Sequence, residues 1–321
     1  MSNSSGTKSN ILNAIEILKR ADARYLEDLG YRLEPCDFYS PINSLRFLEQ
    51  NEDLWSIPSV PLDIDWRIDH QMAVANEVSQ YVLELADIPE TAEYSSGTYC
   101  WGNPFWNHAD ALVQYGLLRS RRPQRLIEIG CGFSSLLANR AIAKNREEDA
   151  SYNPHVILVE PNPRRELLNA LPSDWKLVES TLQRCPLEEF DALAAGDILF
   201  YDGSHCVKTG SDVNWFFFRV LPRIRGGVLI HVHDAFFPRV YPREWLLERK
   251  QSWNEQYLLQ AFLMNNSDYA VEIANAFLAD AKPSELKQLY KDVQPFWGAS
   301  FWMTKLRVTM RLATCPNELA R

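Results

Sequence analysis

The sequence predicts an α/β protein: a doubly wound, mostly parallel sheet of seven strands behind a helical N-terminal elaboration. Three observations carry this. From Arg125 onward, short apolar runs alternate with helix-length segments, the pattern of a parallel sheet covered on both faces. The first run, Arg125–Ile129, ends in a Gly130-Cys131-Gly132 turn that opens a helix near Ser134. Strand, glycine turn and helix start together make a nucleotide-sized site, where a ligand touches backbone and free N–H groups. Two further runs, Tyr269–Ala274 and Ser300–Leu306, supply a terminal strand pair.

In chain order, residues 1–10 read as a disordered tail and 11–95 as a helical cap region. Within the cap, Ile11, Ile15, Leu18, Tyr25 and Leu26 mark a helix over 11–29, and Met72, Val78, Val82 and Leu85 mark another over 68–86. Prolines at 35, 41, 58 and 61 make the stretch between them loop. The main domain spans 96–306. It opens with an aromatic loop, Tyr94 to Trp106, that either covers the site or packs between layers. Asn107 caps a helix running to Leu118. Strands follow at 125–129, 155–160, 175–179, 197–201 and 228–232, with helices at 134–144, 163–171, 187–194 and 211–221 between them. A long helix over 252–264 and a shorter one over 283–290 come later. Residues 307–321 read as a C-terminal tail.

Composition excludes several classes. The chain has 321 residues, 46% of them hydrophobic and 23% charged, enough for a full core. Its formal net charge of -9 argues against a nucleic-acid binder. The six cysteines form no C-x-x-C pair, so neither a zinc ribbon nor a dithiol site is signalled. No apolar stretch approaches the roughly 20 residues that span a bilayer, and the first ten residues are polar. These features point to a reduced, cytoplasmic protein. The N-terminal helices offer a surface for a homodimer.

The glycine turn lacks the third glycine of a dinucleotide fingerprint; Ser135 stands there. Glu128, two residues before Gly130, suits an ammonium-bearing ligand better than a pyrophosphate. Glu160 ends the second strand. Its distance from Gly130 exceeds the usual spacing of about 20 residues, and the polar run Asn145–Asn153 accounts for this as a surface insertion. The fourth and fifth strands end in Asp202-Gly-Ser-His205 and His231-Val-His233-Asp234. Ligands of open α/β sheets bind outside the carboxyl ends of the strands, so these clusters share one crevice with Gly130. For His231 a satisfied core residue is the favoured reading. For Asp202, His205 and Asp234, charged groups at strand ends, a functional reading is favoured.

Glu128-x-Gly130-x-Gly132 after a strand, followed by Glu160 at the next strand end, resembles the class I S-adenosylmethionine-dependent methyltransferases, whose fold is Rossmann-like. The resemblance implies that Glu128, Gly130, Gly132, Ser134 and Ser135 lie against the methionine and ribose of S-adenosylmethionine. It also implies that Glu160 binds the ribose hydroxyls, that Ser180 and Leu182 face the adenine, and that Asp202 contacts the cofactor. Asp202-x-x-His205 resembles catechol O-methyltransferase and the metal-dependent sugar O-methyltransferases of macrolide pathways. In them an Asp and a base three residues later end strand four, and a pair ending strand five completes a magnesium site. That pair falls on His233 and Asp234. Mg²⁺ prefers oxygen where His233 stands, so the resemblance leaves two alternatives: Asp202, His233 and Asp234 hold a softer divalent metal ion, or no metal is bound and His233 serves as a second base. The strings 202–214, 231–238, 241–245 and 253–263 look like a bacterial family of class I methyltransferases. Some of its members lie near glycan or natural-product genes.

The expected activity is O-methylation of a small-molecule or sugar hydroxyl. His205 is the general base, its ordinary pKa of about 6.5 being suited to the task, with Asp202 and His233 beside it. Tyr99, Trp101, Phe105, Trp106, Phe236, Phe237, Tyr241 and Trp245 offer an aromatic acceptor pocket, and Lys208, Arg239 and Arg243 are candidate anion contacts. The alternatives are an NAD-linked oxidoreductase or epimerase, and a non-catalytic cofactor-binding scaffold.

Overall fold

The computed structural model describes residues 4–56, 63–106, 108–291 and 293–306. It contains two units, one of residues 1–54 with 242–252, the other of residues 55–241 with 253–321. Among the described residues, no helix is long and apolar enough to cross a membrane.

The first unit is helical. Helices Ser4–Arg20 and Ala23–Asp28 replace the single helix expected over 11–29, and the first begins well inside the expected tail. Asp22 accepts a hydrogen bond from the Arg24 N–H, which stops one helix and caps the next. Ile11, Ile17, Tyr25 and Phe38 stay exposed. Helices Leu45–Gln50 and Arg243–Leu247 pack together in this unit.

The second unit holds a seven-stranded sheet: β1 (Arg125–Ile129), β2 (His155–Val159), β3 (Lys176–Val178), β4 (Ile198–Tyr201), β5 (Leu229–Val232), β6 (Tyr269–Ala274) and β7 (Phe301–Lys305). Their order is β3-β2-β1-β4-β5-β7-β6. The first five strands are parallel, and β7 runs antiparallel to both β5 and β6. Both faces are buried, as the unbroken apolar runs require. Leu126, Leu158 and Phe200 enter one core, and Ile127, Ile157 and Leu199 enter the other. The chain crosses from β1 outward to β2 and β3, then returns to place β4 on the other side of β1. The crevice at such a reversal, above the carboxyl ends of β1 and β4, is where open sheets bind ligands.

Helix lengths depart from the sequence expectation where packing decides. The helix after the glycine turn runs Phe133–Glu148. The expected insertion is thus partly helix, and Asn145 is fully buried, donating to the Leu118 carbonyl at 2.9 Å. The segment expected as one helix over 211–221 is α-helical only at Asp212–Trp215, then widens to a π-turn over Phe216–Val220. The helix expected to follow an Asn107 cap and end at Leu118 runs His108–Arg121. Asn107 itself, Pro58, Pro61 and the C-terminal tail lie outside the described residues.

The sheet ladder continues one residue past the strand ends. The Gly130 N–H donates to the Val159 carbonyl at 2.9 Å, Asp202 to Ile129 at 2.9 Å, His233 to Tyr201 at 3.0 Å and Glu160 to Val178 at 3.1 Å. Four residues just past the strand ends are therefore fixed by backbone rungs. At Gly130, with φ +79°, a Cβ would sit 1.8 Å from the Asp202 carbonyl oxygen, so only glycine fits. Gly130→Ala is expected to cost roughly 3–5 kcal/mol of stability in urea unfolding. Gly196→Ala, also at positive φ but facing open space, is expected to cost only about 1–2 kcal/mol.

Candidate functional site

A continuous crevice lies over the carboxyl ends of β2, β1 and β4. One lobe, of about 350 Å³, is lined by Gly130, Glu160, Thr181, Leu182, Asp202 and Asp212, among others. A second, of about 450 Å³, shares Gly130, Glu160 and Asp202 and extends to Phe105, Arg164, His205 and Trp253. Gly132 and Ser134 line this second lobe.

Two residues expected at the cofactor, Ser135 and Glu128, are buried behind the wall, and a third, Ser180, is half-buried outside the lining. Ser180 is not among the lining residues; Thr181 and Gln183 take that place beside Leu182. Ser135 is fully buried, and its hydroxyl accepts from the Gly132 N–H at 3.1 Å, bracing the turn. Glu128 is fully buried and accepts a hydrogen bond from the Ser134 hydroxyl. It reaches the crevice only through Ser134. The cause is strand alternation. Glu128 pairs laterally with Phe200, and Phe200 with His231, on the apolar face of the sheet. His231 stacks on Phe200 at 3.9 Å, and its Nε2 meets the Ser300 hydroxyl at 3.1 Å. Burial and the neighbouring His233 charge depress its pKa, which leaves a neutral core residue, as the sequence favoured.

Between Asp202 and His205 the chain is folded back by Asp212, which the sequence reading had not singled out. The Asp212 carboxylate accepts from the Ser204 N–H at 2.8 Å, from the Ser204 hydroxyl and from the Tyr201 hydroxyl at 3.1 Å. This turn leaves His205 at φ +57°, and Asp234 stands at φ +55°. Such backbones are uncommon for non-glycine residues and gather where surroundings enforce them.

His205 is the meeting point of three carboxylates. Its Nε2 lies 3.2 Å from Asp202 Oδ1 and 3.4 Å from Asp234 Oδ2, and its Nδ1 lies 2.9 Å from Glu255 Oε2. Burial opposes its charge, but hydrogen bonds to Asp202 and Glu255 and the charge of Asp234 outweigh burial and hold its pKa well above the imidazole norm. The ordinary basicity expected from the sequence is thus replaced by a stronger base. Burial also works to raise the Asp202 carboxyl, yet the charge of His233 and the hydrogen bond and charge of His205 bring it below its usual value. Its side chain remains 30% exposed to the crevice.

The cation set expected from the sequence needs correction. Among the described residues, ligand-type atoms gather at Asp202, His205 and Asp234, all within 4.8 Å of one another. His233 is outside this set. Its ring turns against Trp106 at 4.5 Å and its Nε2 meets Asp234 at 3.4 Å. Of the expected aromatic pocket, Phe105 and Trp106 line the crevice. Tyr99 is buried with its hydroxyl on the Trp106 carbonyl at 2.8 Å, and Phe237 packs on Trp66 and Phe301. Trp245 belongs to the other unit. The expected cations are spent elsewhere: Arg239 is held by Asp280 at 2.6 and 2.7 Å, Arg243 by Glu52 at 3.1 Å, and Lys208 is exposed. The guanidinium that does line the crevice is Arg164, 4.2 Å over the Phe105 ring.

The buried Glu128 gives a pH test. Burial pushes its carboxyl from 4.5 up to about 8, against the hydrogen bonds from Ser134 and Ser135. The folded state therefore holds this proton more tightly than the unfolded chain. The stability that this provides is complete below about pH 4.5 and is lost as pH rises through about 8. Relative to Glu128→Gln, wild-type stability in urea titrations is expected to fall with pH across that window and then level off. A rise across it contradicts the burial.

Residues 127–235 match a family model described as a methyltransferase domain. An uncharacterised protein of Archaeoglobus fulgidus is 28% identical over 175 residues, covering 52% of this chain and 76% of that protein. The crystal structure of an O-methyltransferase from Bacillus cereus in complex with SAH aligns over 82% of this chain and 97% of that one. Its sequence identity is 11% and its TM-score 0.37, too low to bear weight. The family match falls on β1 through the end of β5, the strands that carry the crevice. Over residues 127–235 the chain thus matches a methyltransferase domain, laid on an α/β sheet with its crevice at the strand reversal.

Proposed function

We propose that the protein binds S-adenosylmethionine along the Gly130 crevice and methylates a hydroxyl of a small molecule or sugar at His205. The observation that carries this is the convergence of the glycine turn, the Glu160 carboxylate and the Asp202–His205 cluster on one crevice at the sheet reversal. The residues suit the cofactor: Gly130 and Gly132 line the crevice without side chains, Glu160 presents a carboxylate, and Leu182 offers an apolar wall. Bound there, S-adenosylmethionine supplies an activated methyl group.

The chain's own work is alignment and proton removal. In its neutral form, which grows as pH rises, His205 takes the hydroxyl proton at Nε2, and the adjacent Asp202 and Asp234 carboxylates stabilise the imidazolium that results. Phe105, Trp106 and Trp253 supply apolar surface for the acceptor beside it. An NAD reading is disfavoured by Ser135, whose hydroxyl is committed to the turn. The exposed apolar residues of helix Ser4–Arg20 support a homodimer as part of the same proposal.

The gathering of Asp202, His205 and Asp234 favours a second reading. The same three residues would hold a divalent cation in place of the Nε2 proton, and such an ion would supply acidity to the acceptor hydroxyl. Calorimetry with S-adenosylhomocysteine and a methyl-transfer assay test both. Binding with turnover that survives chelation is expected; turnover lost on chelation and restored by Mn²⁺ selects the cation. His205→Ala is expected to lower turnover by about 10²–10⁴-fold with cofactor affinity kept, and wild-type turnover is expected to rise with pH beyond the ordinary imidazole range. Parallel loss of affinity makes His205 structural instead.

A further inference from the structure

We infer that Glu255 is the positioning residue of His205, holding the Nδ1 side of the ring so that Nε2 faces the crevice. The inference rests on the proposed role of His205. Glu255 is 50 residues away in sequence, at the first position of helix Glu255–Leu263. Its side chain is 2% exposed, and among the described residues its only hydrogen-bond partner is His205 Nδ1, at 2.9 Å. The other oxygen, Oε1, is buried without a partner. A carboxylate buried on such terms is costly, and packing does not demand one. Its single side-chain hydrogen bond, to His205, accounts for its presence.

The surrounding segment grips the same residue. The N–H groups of Asn254 and Glu255 both donate to the His205 carbonyl, at 3.0 and 3.2 Å. The Asn254 side-chain oxygen accepts from the Val207 N–H at 2.6 Å. The Trp253 ring lies 4.3 Å from the imidazole. His205 is therefore fixed at its backbone by a helix start, at its ring face by Trp253 and at Nδ1 by Glu255. The Nε2 edge is left toward Asp202 and the crevice. Carboxylates that hold the far nitrogen of a functional histidine set its orientation and tautomer. The ordinary alternative is a first-turn carboxylate that merely favours the helix dipole, and such a role leaves the imidazole unchanged.

Proton NMR and kinetics of the full chain separate these. The wild-type protein is expected to show a strongly downfield ring N–H resonance, that of the His205–Glu255 hydrogen bond. Glu255→Gln and His205→Asn are expected to lose it. Glu255→Gln is expected to lower kcat by about 10–100-fold with S-adenosylhomocysteine affinity unchanged. Glu255→Asp, which keeps the charge on a shorter arm, is expected to recover part of the kcat. Absence of the resonance in the wild type overturns the inference whatever the variants do, as does unchanged kcat in folded Glu255→Gln. Failure of the wild type to bind S-adenosylhomocysteine overturns the proposed function instead, and leaves the resonance to be judged alone.

Discussion

The structure depends on one backbone approach, that of Gly130 against Asp202. Parallel strands β1 and β4 are neighbours, and their ladder runs past both ends, so that the turn after β1 meets the carbonyl of Asp202 where a side chain on Gly130 would have no room. From this contact the rest follows. The turn is tied to β2 by the Gly130 rung, the helix Phe133–Glu148 starts at the end of that turn, and Asp202 lines the same crevice. Loops line the crevice, but ladder rungs set their first residues, so the crevice floor is fixed by the sheet.

Electrostatics organise the next layer. Asp202, Asp234 and Glu255 converge on one imidazole within 3.4 Å. Three carboxylates this close to each other are untenable without a positive charge among them. His205 supplies it, and its strained backbone is held by the Asp212-braced turn on one side and the start of helix Glu255–Leu263 on the other. Glu128 shows the opposite solution. Placed by strand alternation in an apolar face, it keeps its proton and works through Ser134.

Much of this was legible in the sequence, for physical reasons that can be named. Apolar runs such as Leu126–Ile129 and Ile198–Tyr201 admit no other layer arrangement, and the glycine turn and strand-end acids mark the crevice by position alone. What was not legible depends on chain crossings. Glu255 meets His205 only because the long helix returns over the β4 loop. Asp212 matters through a turn whose closure no spacing announces. His205 replaces His233 in the expected cation set because the Asp212-braced turn brings its Nε2 to both Asp202 and Asp234, whereas the His233 ring packs against Trp106. The surface insertion at Asn145 became helix because Arg119 and the Leu118 carbonyl offered a buried amide its partners.

The most direct test of the central claim, that one crevice at the β1–β4 reversal holds the cofactor, is hydrogen–deuterium exchange with and without S-adenosylhomocysteine. Protection is expected at residues 129–135, 160–164, 181–183 and 202–205. Protection confined instead to the separate cavity lined by Asp63, Arg67, Asn265 and Tyr269, or no protection at all, contradicts it.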